Sequence, residues 1–224
     1  MSLNPKVSFF AKGGPFPLCG LGILIFVSFL FPMNCFGRIY IDINAPAIRK
    51  FNIAITDFRN LTRNNEHPEL VRELPGVISN DLDCSGYFTP MDREAFLEDS
   101  DSVSTFEDIR FKDWSVIGAE LLLKGKYTCI GRNVEVEIRP FDVFWGRQIL
   151  GKRALGDISR YRDLMHRLGN DIIQTLTGQV GIFLTKLAFV GNTSGNKEVY
   201  VCDEDGHNVQ QKRSHKSIAL LPRL

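Results

Sequence analysis

The sequence predicts an α/β (α+β) fold in which helices pack on one mixed sheet, followed by an incomplete first β-propeller blade. Three observations predict it. Segments with alternating apolar patterning and segments with helical spacing follow in the order strand, helix, strand, helix, three strands, helix. A stripe of Ile158, Tyr161, Met165, Leu168, Ile172 and Leu176 runs at steps of three and four and stops at Gly178. Beyond Gly181, two short strands over 184–190 and 197–202 are joined by NTSGN and run into the tight turn DEDG. Such hairpins open a repeat of roughly 40 residues that a propeller uses about four to eight times.

The first 37 residues read as a secretory signal peptide: Lys6 and Lys12, the apolar run Leu18 to Phe31, Pro32, then Cys35 and Gly37 as small residues before the cut. Two other readings stay open. The uncharged stretch from Gly13 to Gly37 is long enough for an uncleaved anchor, and Cys35 could carry a lipid. Removing residues 1–37 takes two lysines and no acids, leaving 25 basic and 26 acidic residues. A balance so close to neutral gives no electrostatic case for nucleic acid. Cys84, Cys129 and Cys202 remain, an odd number at unrelated spacings. They read as small half-buried hydrophobes, with a Cys84–Cys129 bridge as the alternative.

At the new amino terminus RIYIDI alternates Ile39, Ile41 and Ile43 with Arg38, Tyr40 and Asp42, a half-buried strand by pattern. With NAPAIRK behind it, residues 38–50 form either a tethered partner-binding arm or an edge strand. The main domain is expected over 51–180. FNIAITDF (51–58) is strand-like, and Pro75 serves as a first-turn proline of a helix bearing Val77, Ile78 and Leu82 and closed by Gly86. YFTPM (87–91) is a short strand, EAFLEDSDSVSTFED an acidic loop, and FKDWSVIGA (111–119) a short helix ended by Gly118. An antiparallel meander follows over 119–130, 133–144 and 147–155. The apolar parity flips past Pro140, which suggests a bulge at the proline. Residues 184–224 form the start of the propeller.

Little in the chain argues for catalysis. His67, His166, His207 and His215 fall in unrelated segments without a metal-ligand partner at helical or loop spacing. His166 is expected to make a structural hydrogen bond at a helix boundary. Ser194 and Lys197 match S-x-x-K, but in a glycine and asparagine turn rather than at a rigid helix start. Asp203 to Gly206 resembles a fragment of a calcium loop, yet Lys212 stands where the closing glutamate belongs. Phosphate-loop, nucleophile-elbow and zincin motifs are absent from the sequence. No cofactor, metal or small-molecule substrate is expected. The alternative is a periplasmic enzyme or small-ligand-binding α/β domain.

Taken together, RIYIDI, DLDCSGYFTPMD (81–92), FKDWSVIGAELLLKGK (111–126), FDVFWGRQILG (141–151), HRLGNDIIQTLTGQVGIFLTKLAFV (166–190) and VYVCDEDG (199–206) closely resemble the TolB family of periplasmic Tol-Pal proteins. The run L-T-G-x-x-G-x-F with K-x-A-F-V is its most specific element, and D-L-x-x-S-G-x-F the second. The resemblance implies a domain similar to anticodon-binding domains and a non-catalytic periplasmic adaptor for outer-membrane integrity and constriction during cell division. It also implies an arm, matched here by Arg38, Ile39, Tyr40, Ile41, Asp42 and Ile43, that engages TolA. In the family the propeller binds Pal. Here SHKSIALLPRL stands where further blades would begin, so the chain is expected to be truncated within its first blade and to lack Pal binding. Asn170 replaces a usual acid, expected to be a minor change on a helix surface.

Overall fold

The computed structural model describes residues 49–97, 106, 109–193 and 195–212. The expected signal peptide, the strand Arg38–Ile43, most of the acidic loop and SHKSIALLPRL lie outside the described residues. A seven-stranded mixed sheet comprises β1 (Phe51–Ile55), β2 (Arg59–Asn60), β3 (Phe88–Pro90), β4 (Leu121–Ile130), β5 (Asn133–Asp142), β6 (Arg147–Gln148) and β7 (Lys152–Asp157). β1 lies between β3 and β4 and runs parallel to both, whereas β5 is antiparallel to β4, β6 and β7. The helices are α1 (Leu70–Cys84), α2 (Phe111–Val116) and α3 (Tyr161–Thr177). The α/β class and the meander are as the patterning requires.

Successive strand residues face opposite sides of a sheet, and here both sides are covered. Ile53, Ile55, Leu121, Leu123, Val134, Val136 and Ile138 pack with α1 and α3, including Leu74, Ile78, Met165, Leu168 and Ile172. On the other face Ala54, Leu122 and Phe141 pack with Trp114 of α2. Gly178 ends α3 in the left-handed conformation, φ 75°, as its position predicts.

Three expectations need correction. Helix α1 starts at Leu70, so Pro75 lies inside it rather than in its first turn. The Val71 carbonyl that position 75 would have used accepts instead from the Phe58 backbone N–H at 2.9 Å. There is no bulge at Pro140: β5 keeps one register against β4 from Asn133 to Asp142. The parity flips because early β5 is buried against the helices and Phe141 against the α2 side. The irregularity lies in the third strand. Ile138 pairs with Lys152 and Phe141 with Gln148, so Ile149, Leu150 and Gly151 oppose only Arg139 and Pro140. That extra residue splits the expected strand 147–155 into β6 and β7.

After α3 the chain threads back into the main core, where Phe183 is buried. It then forms a second sheet of three antiparallel strands, β8 (Lys186–Gly191), β9 (Glu198–Asp203) and β10 (Gln210–Gln211), where two were expected. Asp203–Gly206 is the expected tight turn, with the Gly206 N–H donating to the Asp203 carbonyl at 3.0 Å. Cys84, Cys129 and Cys202 are free thiols.

Candidate functional site

The predicted arm residues Arg38, Ile39, Tyr40, Ile41, Asp42 and Ile43 lie outside the described residues. The strand their tether leads into, β1, is interior to the sheet, so the open edges near that end belong to other strands. The sequence-predicted histidines part company. His67 pairs with Glu69 at the surface, Nδ1 to Oε1 3.0 Å, whereas His166 and His207, from segments judged unrelated, meet around Asp205.

That meeting point is a buried ionic cluster between the two sheets. Asp81 comes from α1, Arg162 and His166 from α3, and Glu204, Asp205 and His207 from the turn after β9. His166 Nδ1 lies 2.9 Å from Asp81 Oδ2 and 3.0 Å from Oδ1, and its Nε2 lies 3.3 Å from Asp205 Oδ2. Asp81 and Asp205 side chains have no exposed surface, and His166 is 2% exposed. Arg162 Nη2 also bonds Asp205 Oδ2 and lies 3.1 Å from His207 Nδ1. The His207 backbone N–H donates to Asp205 Oδ1 at 3.0 Å. His166 therefore makes the structural hydrogen bond expected of it, but from the interior rather than from a helix boundary.

Local sequence explains how these groups fit. Position 169 is glycine because a Cβ there would stand 2.9 Å from Asp81 Oδ2 and 3.2 Å from the Phe183 ring. Position 181 is glycine for close approach: a Cβ would overlap Asn170 Oδ1 and lie 3.0 Å from Asn170 Cα. Asn170, expected on a helix surface, accepts the Phe183 N–H on Oδ1 at 3.3 Å and ties the connecting segment to α3. Asp81, His166 and Asp205 sit in three of the motif segments quoted above, DLDCSGYFTPMD, HRLGND and VYVCDEDG. Their presence in those segments was the available signal, but Asp81 and Asp205 have no helical or strand periodicity that links them.

Burial pushes the Asp81 and Glu204 carboxyls up, with neighbouring acids adding to the effect on each. Burial would lower His166. The Asp81 hydrogen bond and the charges of Asp81 and Asp205 outweigh it and hold the imidazole above its ordinary value. For Asp205 burial likewise opposes ionisation, but the His207 N–H and Arg162 win and hold it below the usual range. Arg162 Nε, His166 Nε2 and Glu204 Oε2 are buried without a hydrogen-bond partner among the described residues, so the 3.3 Å approach of His166 Nε2 to Asp205 is an ionic proximity and not a formed hydrogen bond.

Asp203, the first of the turn's three carboxylates, bonds Lys186 and Asn208 and so serves the hairpin. No group of three or more His, Cys, Asp or Glu among the described residues is arranged to hold a metal ion. A shallow depression lined by Leu97, Arg110, Asp113, Trp114 and Ile117 offers a ligand no convergent polar set, because Arg110 and Asp113 pair with each other at 3.2 Å. No helix among the described residues is long and apolar enough to cross a membrane. The chemistry at the cluster is that of a structural joint.

Residues 39–149 match the TolB amino-terminal domain family. The Tol-Pal system protein TolB of Desulfosudis oleivorans is 36% identical over 184 residues, covering 82% of this chain and 42% of that protein. Its counterpart in Syntrophotalea carbinolica is 32% identical over 202 residues, covering 88% and 47%. The crystal structure of TolB from Acinetobacter baumannii superposes with a TM-score of 0.61 at 23% identity, over 75% of this chain and 39% of that one. The chain thus spans slightly less than half the length of these curated relatives.

Proposed function

This chain belongs to the TolB family, and on that premise we propose that it is a non-catalytic periplasmic adaptor of the Tol-Pal system. The observation that carries the reading is the family match, which joins relatives named Tol-Pal system protein TolB to a fold shared with a solved TolB. Export through residues 1–37 delivers the chain to the periplasm. There it contributes to outer-membrane integrity and to constriction during cell division.

The arm Arg38–Ile43 engages TolA; its sequence alternates Ile39, Ile41 and Ile43 with Arg38, Tyr40 and Asp42, a pattern suited to recognition by strand addition. Residues 51–180 are the domain that carries the arm, and 184–224 the start of a propeller. In that reading Pal binding belongs to the propeller and TolA binding to the arm. A pulldown with the periplasmic carboxyl-terminal domain of TolA tests the assignment. The exported chain is expected to be retained and a variant lacking 38–43 to be lost while still folded by circular dichroism. Equal retention of both, or retention of neither, overturns the arm assignment.

A further inference from the structure

We propose that Asp81, His166 and Asp205 form a proton-dependent latch that joins the three-stranded sheet to the α/β layer and loosens when the proton leaves. The inference does not depend on the Tol-Pal assignment. It starts from the two ring nitrogens of His166. Each lies near a carboxylate: Nδ1 is hydrogen-bonded to Asp81 of α1, and Nε2, without a formed hydrogen bond, stands 3.3 Å from Asp205 of the turn after β9. A neutral imidazole has one donor and one acceptor nitrogen. It can satisfy only one of the two and turns a lone pair toward the other. Both contacts become favourable only with one additional proton, carried as imidazolium or shared with Asp81.

The surroundings favour that proton. From α1 the cluster receives Asp81, with the Cys84 thiol nearby; from the turn it receives Glu204, Asp205 and His207; α3 supplies Arg162 as well as His166. Two buried carboxyls, Asp81 and Asp205, and the partly buried Glu204 therefore face one permanent cation. Arg162 opposes protonation of His166, but it is already spent on Asp205. Without the proton the joint holds unbalanced negative charge on the buried Asp81 and Asp205 side chains, where such charge is costly.

The direction of the pH effect follows. His166 is raised in the folded protein, so its contribution is complete below the ordinary histidine value of 6.5 and is lost as pH rises through the folded value. Asp205 is lowered, so its contribution disappears as pH falls through its own folded value. The latch grips hardest in mild acid and releases toward alkaline pH.

Hydrogen exchange on the whole chain between about pH 5.5 and 9, corrected for intrinsic rates, reads the latch directly. Peptides covering 186–211 are expected to lose protection as pH rises, by roughly tenfold for each unit that separates the folded and unfolded His166 values. Peptides in β4 and β5 serve as the reference and are expected to stay level. Asp205→Asn leaves the Asp81–His166 pair in place and is expected to lower protection of 186–211 in acid and to remove most of its pH dependence. Should that variant fail to fold, the imidazole resonance of His166 in the unaltered protein still decides, with titration above 6.5 expected. Flat protection of 186–211 across the range, an unchanged slope in the variant, or titration of His166 at or below 6.5 overturns the proposal.

Discussion

Pro75 and Val71 are one helical turn apart in α1, and the carbonyl that the proline cannot engage is taken by the Phe58 backbone N–H at 2.9 Å. The missing helical bond thereby becomes a tie between α1 and the segment joining β1 to β2. A proline inside a helix ordinarily costs about 3 kcal/mol, through the lost bond and the crowding of that carbonyl.

Because the Val71 carbonyl is already satisfied, Pro75→Ala is expected to change stability by less than about 1 kcal/mol rather than to recover the full 3. Urea unfolding of the two proteins measures the difference. A gain near 3 kcal/mol would show that the Phe58 bond compensates for little.

Gly181→Ala is expected to destabilise by about 1–3 kcal/mol, because the new methyl overlaps the Asn170 amide and presses on its Cα. Asn170→Ala alone removes the bond to the Phe183 N–H and costs about 1 kcal/mol. The double variant relieves the amide overlap, so its loss is expected to be smaller than the sum of the two singles. Strict additivity in thermal unfolding would place the strain elsewhere.

The amphipathic stripe of α3, its stop at Gly178 and the β4–β5 hairpin were legible in the sequence because each is set by neighbours within one element. The start of α1 was not, because a proline's position in a helix depends on whether a distant donor such as Phe58 occupies the freed carbonyl. The parity flip in β5 was visible but misread. Period-2 patterning reports that a face is buried without saying which layer buries it, and here two layers cover opposite ends of the strand. The cluster was least legible. Asp81 and His166 are 85 positions apart, and an acid at a tight turn such as Asp205 reads locally as turn chemistry. The packing of α1 on α3 brings Asp81 and His166 into contact, and the docking of the second sheet adds Asp205.

Gly125 in β4 faces Phe58, whose Cε1 and Cζ would lie 2.6 Å from an added Cβ. Gly125→Ala is therefore expected to cost about 1–3 kcal/mol by overpacking. Adding Phe58→Leu opens space at the contact, and the pair is expected to be more stable than the two separate losses would give. If thermal melts show Gly125→Ala to be neutral, the ring has room to move and the contact is not tight.

Glu137 on β5 is a buried carboxylate held by three cations: Arg139 Nε at 2.8 Å, Arg153 Nη2 at 2.9 Å and Lys126 Nζ at 3.2 Å. Burial alone would raise it, but the hydrogen bonds from these side chains prevail and hold it below its ordinary value of 4.5. Its contribution is therefore present above that value and is lost as pH falls through the lower folded value. Glu137→Gln keeps the shape and removes the charge. Since the cations are partly exposed and can be solvated, the loss at neutral pH is expected to be about 1–2 kcal/mol, less than for a fully buried pair. The diagnostic is the acid limb: between about pH 3 and 5 the unaltered protein loses stability faster than the variant, so the two curves converge. Parallel curves in urea unfolding over that range would mean that Glu137 is not the carboxylate that couples this sheet face to acid.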